Sequence, residues 1–230
     1  MWTEVQQKLN EIRELMELSW TLGIRRDPPV SCVLRWSLVA DPLSSGPLAG
    51  EGAAIRPATA PLVAVGHDLQ DVLRWIELLV QSPQRQLDVT KRRLQSALAG
   101  RLDDTDAFVD AVVSWENMVG GQGSEIRFRV STTMAWLISE EDTERLQIQA
   151  RIAKLYDIRS QVVHGARHLD SMEAKALRIE ALGYAVGSFR RLLAEFPELV
   201  GDKDRSIKLL ARLSSNRGLA SRSSNTRRAR

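Results

Sequence analysis

The sequence predicts an all-α helical bundle with a small α+β segment at its amino-terminal end. Three observations carry this reading. Apolar residues recur at helical spacing from Asp68 to Leu193. Glycines, a proline and capping residues cut that stretch into helix-length pieces with short connections, which favour antiparallel neighbours. Only residues 30–65 break the pattern, with strand-like alternation followed by a run rich in Pro, Gly, Ser and Ala.

Taken in order, residues 2–20 place Trp2, Val5, Leu9, Ile12, Met16 and Trp20 on one stripe of a helix. Residues 30–40 alternate Val30, Cys32, Leu34, Trp36 and Leu38 against Ser31, Arg35 and Ser37, as a half-buried strand does. Residues 41–61 read as a loop or linker, and the apolar run 62–65 as a short second strand. Two strands make no stable sheet alone. This part therefore packs on the helices, pairs with another chain, or is the remnant of a larger domain.

A helix from Asp68 to Pro83 carries Leu69, Val72, Leu73, Ile76, Leu79 and Val80, and a weaker one spans about 84–99 before Gly100. Asp104 caps the next, which repeats Phe108, Val112, Trp115 and Val119 until Gly120 and Gly121. Ile126, Val130, Met134 and Leu137 mark another. The cleanest stripe is Ile148, Ile152, Leu155, Tyr156, Val162 and Val163, closed by Gly165. Asp170 with Glu173 forms a capping box for the last long helix, with Ile179, Leu182, Val186, Phe189 and Leu193 inside. A short helix at about 203–213 precedes a tail too poor in apolar residues to fold. The expected division is 1–67, 68–200 and 201–230.

Composition narrows the function classes. The 43% apolar and 27% charged shares are those of an ordinary soluble globular protein. Cys32 is the single cysteine, so no intrachain disulfide forms. Three histidines and one cysteine, with no CxxC, predict no metal site, and no cofactor motif is present. The amino terminus is charged throughout, and no run approaches the roughly 20 apolar residues of a membrane span. The expectation is a cytoplasmic protein with no membrane contact. The net charge of +3 hides an asymmetry: residues 205–230 hold eight basic and no acidic residues, leaving 1–204 at −5. Any cationic surface for nucleic acid thus falls on the tail, at Arg217, Arg222, Arg227, Arg228 and Arg230.

The segment with chemistry is YDIRSQVVHGA at 156–166, which sets Arg159 five residues before His164. Metal-free RNA cleavage needs a proton carrier for the 2′-OH and leaving oxygen, and a fixed positive charge at the phosphate. Histidine titrates near neutrality, and arginine grips two phosphate oxygens through its planar fork. On a regular helix, residues five apart point about 140° from each other. The pair meets only if Arg159 reaches round, the helix loosens near Gly165, or a second subunit completes the site. The competing reading makes His164 part of a helix end and Arg159 a surface or ion-paired side chain.

Residues 104–166 resemble the ApeA-like branch of the HEPN family. The likeness lies in AFVDAVVSWENMV, then GSEIRFRVSTTMAWLI, then LYDIRSQVVHG, whose YD-R-S-V-H-G block is the most specific part. It extends over the helical half, about 84–196, and leaves out 1–65. The resemblance implies a helical fold, pairing as a homodimer, and endoribonuclease activity of the antiviral-defence or toxin–antitoxin kind. It places the family's Arg–His RNase motif on Arg159 and His164, with the two pairs at the dimer interface. RNA is the implied substrate, and an antitoxin or defence protein the implied partner. Many active members carry Asn, Asp or His directly after the arginine, where this chain has Ser160. Asp157, Ser160, Glu116 and His168 are the candidate supporting residues. The alternative is a non-catalytic HEPN module that dimerises and binds RNA, a nucleotide or a partner protein.

Overall fold

The computed structural model describes residues 2–26, 29, 36–39, 48–51, 66–81, 87–119 and 125–214. Helix α1 (Trp2–Gly23) precedes two short strands, β1 (Trp36–Val39) and β2 (Leu48–Glu51). Then come α2 (Gly66–Gln81), α3 (Asp88–Gln95) with a π-helical turn at Ser96–Gly100, and α4 (Asp104–Val119). They are followed by α5 (Ile126–Ile138), α6 (Asp142–Val163), α7 (Ser171–Glu195) and a 3-10 turn at Pro197–Leu199. A further helical stretch covers 205–214. The described residues are all-α apart from the antiparallel ladder of β1 with β2, in which Trp36 faces Glu51 and Val39 faces Leu48.

Helix α4 is the hub, because its apolar residues run nearly all round it. Ala107, Phe108, Ala111, Val112, Trp115, Met118 and Val119 are all buried, the signature of a helix enclosed by others. Helix α3 lies antiparallel on it: Thr90 meets Ser114 and Asn117, while Arg93 meets Asp110. On α7, Arg178 Nε lies 2.9 Å from Asp104 Oδ1. Helices α5 and α6 form an antiparallel hairpin across 139–141, with Arg127 on Asp157 and Thr132 on Gln149. The Arg145 guanidinium stacks 3.6 Å over the Trp136 ring and fixes the turn of that hairpin.

The π-helical turn has a role in the packing. A wider turn sets Ser96 and Arg101 at its two ends on one carboxylate, Asp110, at 2.6 and 2.9 Å, with Arg93 adding a third contact at 2.5 Å. Burial alone raises the Asp110 carboxyl, but the three donors outweigh it and hold its pKa below the ordinary range.

Helix α1 belongs to the same core. Leu18 and Leu22 are buried with Trp75, Leu79 and Leu94, and Arg190 of α7 donates to the carbonyls of Leu22, Thr21 and Ile24 at 2.7, 2.9 and 3.0 Å. These are the carbonyls a helix end leaves without intrahelical partners. The expected division between 67 and 68 therefore separates two elements, α1 and α2, that pack together.

Several expectations need correction. The strand expected over 30–40 is described only at Trp36–Val39, and its partner Leu48–Glu51 falls in the segment read as loop or linker. The strand expected at 62–65 lies outside the described residues. The weak helix of 84–99 resolves into α3 and the π turn. The cap of α4 is Asp103, whose Oδ1 accepts from the Asp106 N–H at 2.9 Å, and Asp104 serves Arg178 instead. Of the capping box at α7 only half forms: Asp170 accepts from the Glu173 N–H at 2.8 Å, while the Glu173 carboxylate pairs with Arg167. On α2 the buried stripe is Val72, Trp75 and Leu79, and Leu69, Leu73 and Val80 face outward. Val163, assigned to the inner stripe of α6, is 52% exposed.

Candidate functional site

Helix α6 is regular up to its end, and that regularity decides the geometry of the Arg–His pair. The His164 N–H bonds the Ser160 carbonyl at 3.0 Å, an ordinary α-helical step. His164 is the C-cap, and Gly165 follows at φ +70°, a left-handed conformation glycine adopts without a Cβ penalty. The Gly165 N–H then bonds Val162 O at 3.1 Å and the Ala166 N–H bonds Gln161 O at 2.8 Å. This double bond pattern is a Schellman closure, which pins the end of the helix. The helix does not loosen before His164, so the roughly 140° divergence from Arg159 stands.

The two side chains consequently occupy different surroundings. Arg159 points toward α4, is 22% exposed, and has Nη1 4.0 Å from Glu116 Oε1. Its Nε–H is buried and meets no acceptor among the described residues. His164 is exposed at the helix end, and no hydrogen bond from a described residue holds its imidazole.

Of the candidate acids Asp157 and Glu116, it is Glu116 that faces Arg159, at 4.0 Å. A second group meets it there: the Tyr156 hydroxyl donates to Glu116 Oε1 at 2.7 Å. Burial, together with that hydrogen bond, pushes the Tyr156 pKa up to about 12. Tyr156 and Arg159 are three residues apart, one helical turn, and so share a face. The sequence reading counted Tyr156 among the apolar stripe and missed its hydroxyl. The available signal was its place one turn before the arginine.

The remaining candidates divide. Asp157 lies seven residues before His164 and hence on nearly the same face of α6. Its carboxylate is taken by Arg127 of α5 at 2.6 Å, a half-exposed ion pair, and not by Arg159. Ser160 is half-buried one turn before His164. His168 is exposed beyond the Schellman closure, beside Arg167, whose charge is paired with Glu173 at 2.5 Å. Arg217, Arg222, Arg227, Arg228 and Arg230 lie outside the described residues. Among the described residues, no group of three or more His, Cys, Asp or Glu side chains is placed to hold a metal ion. No described helix is long and apolar enough to cross a membrane.

One chain thus presents a tethered arginine with unspent donors on one side of α6, and an exposed histidine at its rigid end on another. No family model, curated protein or solved structure matches this chain.

Proposed function

We propose that the protein is a metal-independent endoribonuclease of HEPN type that acts as a homodimer. In this reading an HEPN-like bundle over 68–200 carries the site, and residues 1–67 form a small α+β addition whose first helix docks on the bundle. The observation that supports it is the state of Arg159, a half-buried guanidinium beside a carboxylate that takes none of its hydrogen bonds. Such a group is ready for the two oxygens of a phosphate. The exposed His164 supplies proton transfer at a fixed position, and the divergence of the two side chains is answered by a second subunit. With two histidines in one composite site, one takes the proton from the ribose 2′-OH as the 2′-oxygen attacks phosphorus. The other protonates the departing 5′-oxygen, leaving a 2′,3′-cyclic phosphate and a 5′-hydroxyl. Arg159 stabilises the charge that builds on the phosphoryl oxygens. The setting is cytoplasmic, in defence or toxin–antitoxin action, with an antitoxin or defence protein as partner.

A second reading rests on the imidazole of His164, which no described residue orients. A general base normally has a partner that fixes its tautomer. In that reading the protein is a non-catalytic HEPN module that dimerises and binds RNA, a nucleotide or a partner protein. One experiment separates the two. Wild-type protein in EDTA should cut RNA to 2′,3′-cyclic phosphate ends, and His164→Ala or Arg159→Ala should each lower the rate at least about 100-fold, the scale of general acid–base catalysis. Equal inertness of wild type and variants on structured and unstructured RNA would establish the binding-module reading.

A further inference from the structure

We propose that Tyr156 is a positioning residue that keeps Glu116 from consuming the hydrogen bonds of Arg159. The inference rests on the reading of Arg159 as the phosphate-holding group and adds what keeps that group available. It starts from two distances. Glu116 Oε1 stands 4.0 Å from Arg159 Nη1, beyond hydrogen-bonding range, and 2.7 Å from the Tyr156 hydroxyl. An arginine beside an unoccupied carboxylate ordinarily closes into a direct, often bidentate, pair. Here the tyrosine has taken the nearer oxygen. The carboxylate still steers the guanidinium by its charge, yet all five N–H donors of Arg159 stay unspent among the described residues.

The geometry places all three groups on a rigid frame. Glu116 stands on α4, between the buried Trp115 and the next turn's buried Met118 and Val119. Tyr156 and Arg159 stand one turn apart on α6, with Leu155 and Ile158 buried beneath them. On this frame the Tyr156 hydroxyl is the group that holds Glu116 Oε1 away from Arg159. Without it, Glu116 swings onto Arg159 and the fork is occupied before a phosphate arrives.

The test uses the full chain and a 2′-O-methyl RNA decamer, which cannot be cleaved because its nucleophile is blocked. Binding is read by fluorescence anisotropy at about 0.3 M salt, where diffuse contacts from a basic tail are suppressed. Tyr156→Phe should weaken binding about tenfold, and Arg159→Ala should do the same. In a Glu116→Gln background the same Tyr156→Phe change should cost less than about twofold, because the neutral amide no longer competes for the guanidinium. A merely structural tyrosine would give the same loss in both backgrounds, and that result overturns the proposal. A crystal structure of Tyr156→Phe supplies a reading independent of RNA: the Arg159–Glu116 separation should fall below about 3.5 Å. An unchanged separation in a folded variant overturns the proposal as well. If wild type never cleaves RNA but these shifts appear, the nuclease reading fails and the positioning role stands. If cleavage is present and Tyr156→Phe binds like wild type, the positioning role fails and the nuclease reading stands.

Discussion

At the scale of residues, the phenol of Tyr156 couples stability to pH in a direction that can be worked out. Its pKa in the folded protein is raised to about 12 from an ordinary 10.0. The folded state therefore holds that proton more tightly than the unfolded one. The associated stability is fully present below pH 10 and is lost as pH climbs from 10 toward 12. Urea midpoints of wild type and Tyr156→Phe should run parallel up to about pH 9 and converge above 10, as wild type loses its advantage. Curves that stay parallel to pH 12 would show that the hydroxyl is not held as described. Arg159 and His164 were singled out in the sequence by the resemblance of the YD-R-S-V-H-G block, since their spacing alone also fits a helix end and an ion-paired arginine. Tyr156 was not, because an aromatic at helical spacing reads as core, and the carboxylate that claims its hydroxyl lies 40 positions away.

Helices were legible as elements, and their faces less so. Spacing locates α4, α5 and α7; of their expected inner residues Phe108, Trp115, Met134 and Phe189 are buried, while Ile126 and Ile179 are only partly so. On α2 the periodicity admits two stripes, and α1 decides which one is covered. Gly23 of α1 abuts Val72, so that a Cβ added there would lie 2.7 Å from the Val72 backbone nitrogen. The strand Leu48–Glu51 was not legible at all, because LAGE lacks the β-branched alternation that marks a strand. The glycines give a prediction of opposite signs. Gly23→Ala should lower stability by about 1–3 kcal/mol, because the obstacle is backbone and one helix must shift. Gly183→Ala and Gly187→Ala, in the interior of α7 with nothing within 4 Å, should each raise it by about 0.5–1 kcal/mol. Thermal melting of the three variants checks both signs. A stable Gly23→Ala protein would mean that α1 and α2 pack more loosely than the distances state.

For the whole molecule, the basic residues cluster from 205 onward, and on the proposed function they would serve binding and not chemistry. Of the eight basic residues from 205 onward, three serve the fold: Arg205 is buried on the carbonyls of Val200 and Asn117, Lys208 pairs with Asp202, and Arg212 pairs with Glu198. The other five are Arg217, Arg222, Arg227, Arg228 and Arg230. Each phosphate contact adds roughly 0.7 to the salt slope on single-stranded RNA, so five would set a ceiling of about 3.5. Deleting 215–230 should lower the measured slope by part of that ceiling. It should leave the cleavage rate at saturating RNA nearly unchanged, since Arg159 and His164 stand on α6. An unchanged slope with lost turnover would mean that the tail helps build the site. The net charge showed where the basic residues cluster. It could not show that Arg205 is a packing residue, because nothing local distinguishes a buried arginine from a solvated one.

The contact of Arg190 with the end of α1 has a consequence for how the chain is made. Arg190 and Leu22 are 168 residues apart, so α1 leaves the ribosome well before the helix that clamps it. At about 5–20 residues per second, translation leaves the carbonyls of Thr21, Leu22 and Ile24 waiting roughly ten to thirty seconds for that guanidinium. Over the same interval Leu18 and Leu22 have no α7 to complete their shelter. The nascent chain thus carries an unfinished apolar surface until α7 arrives.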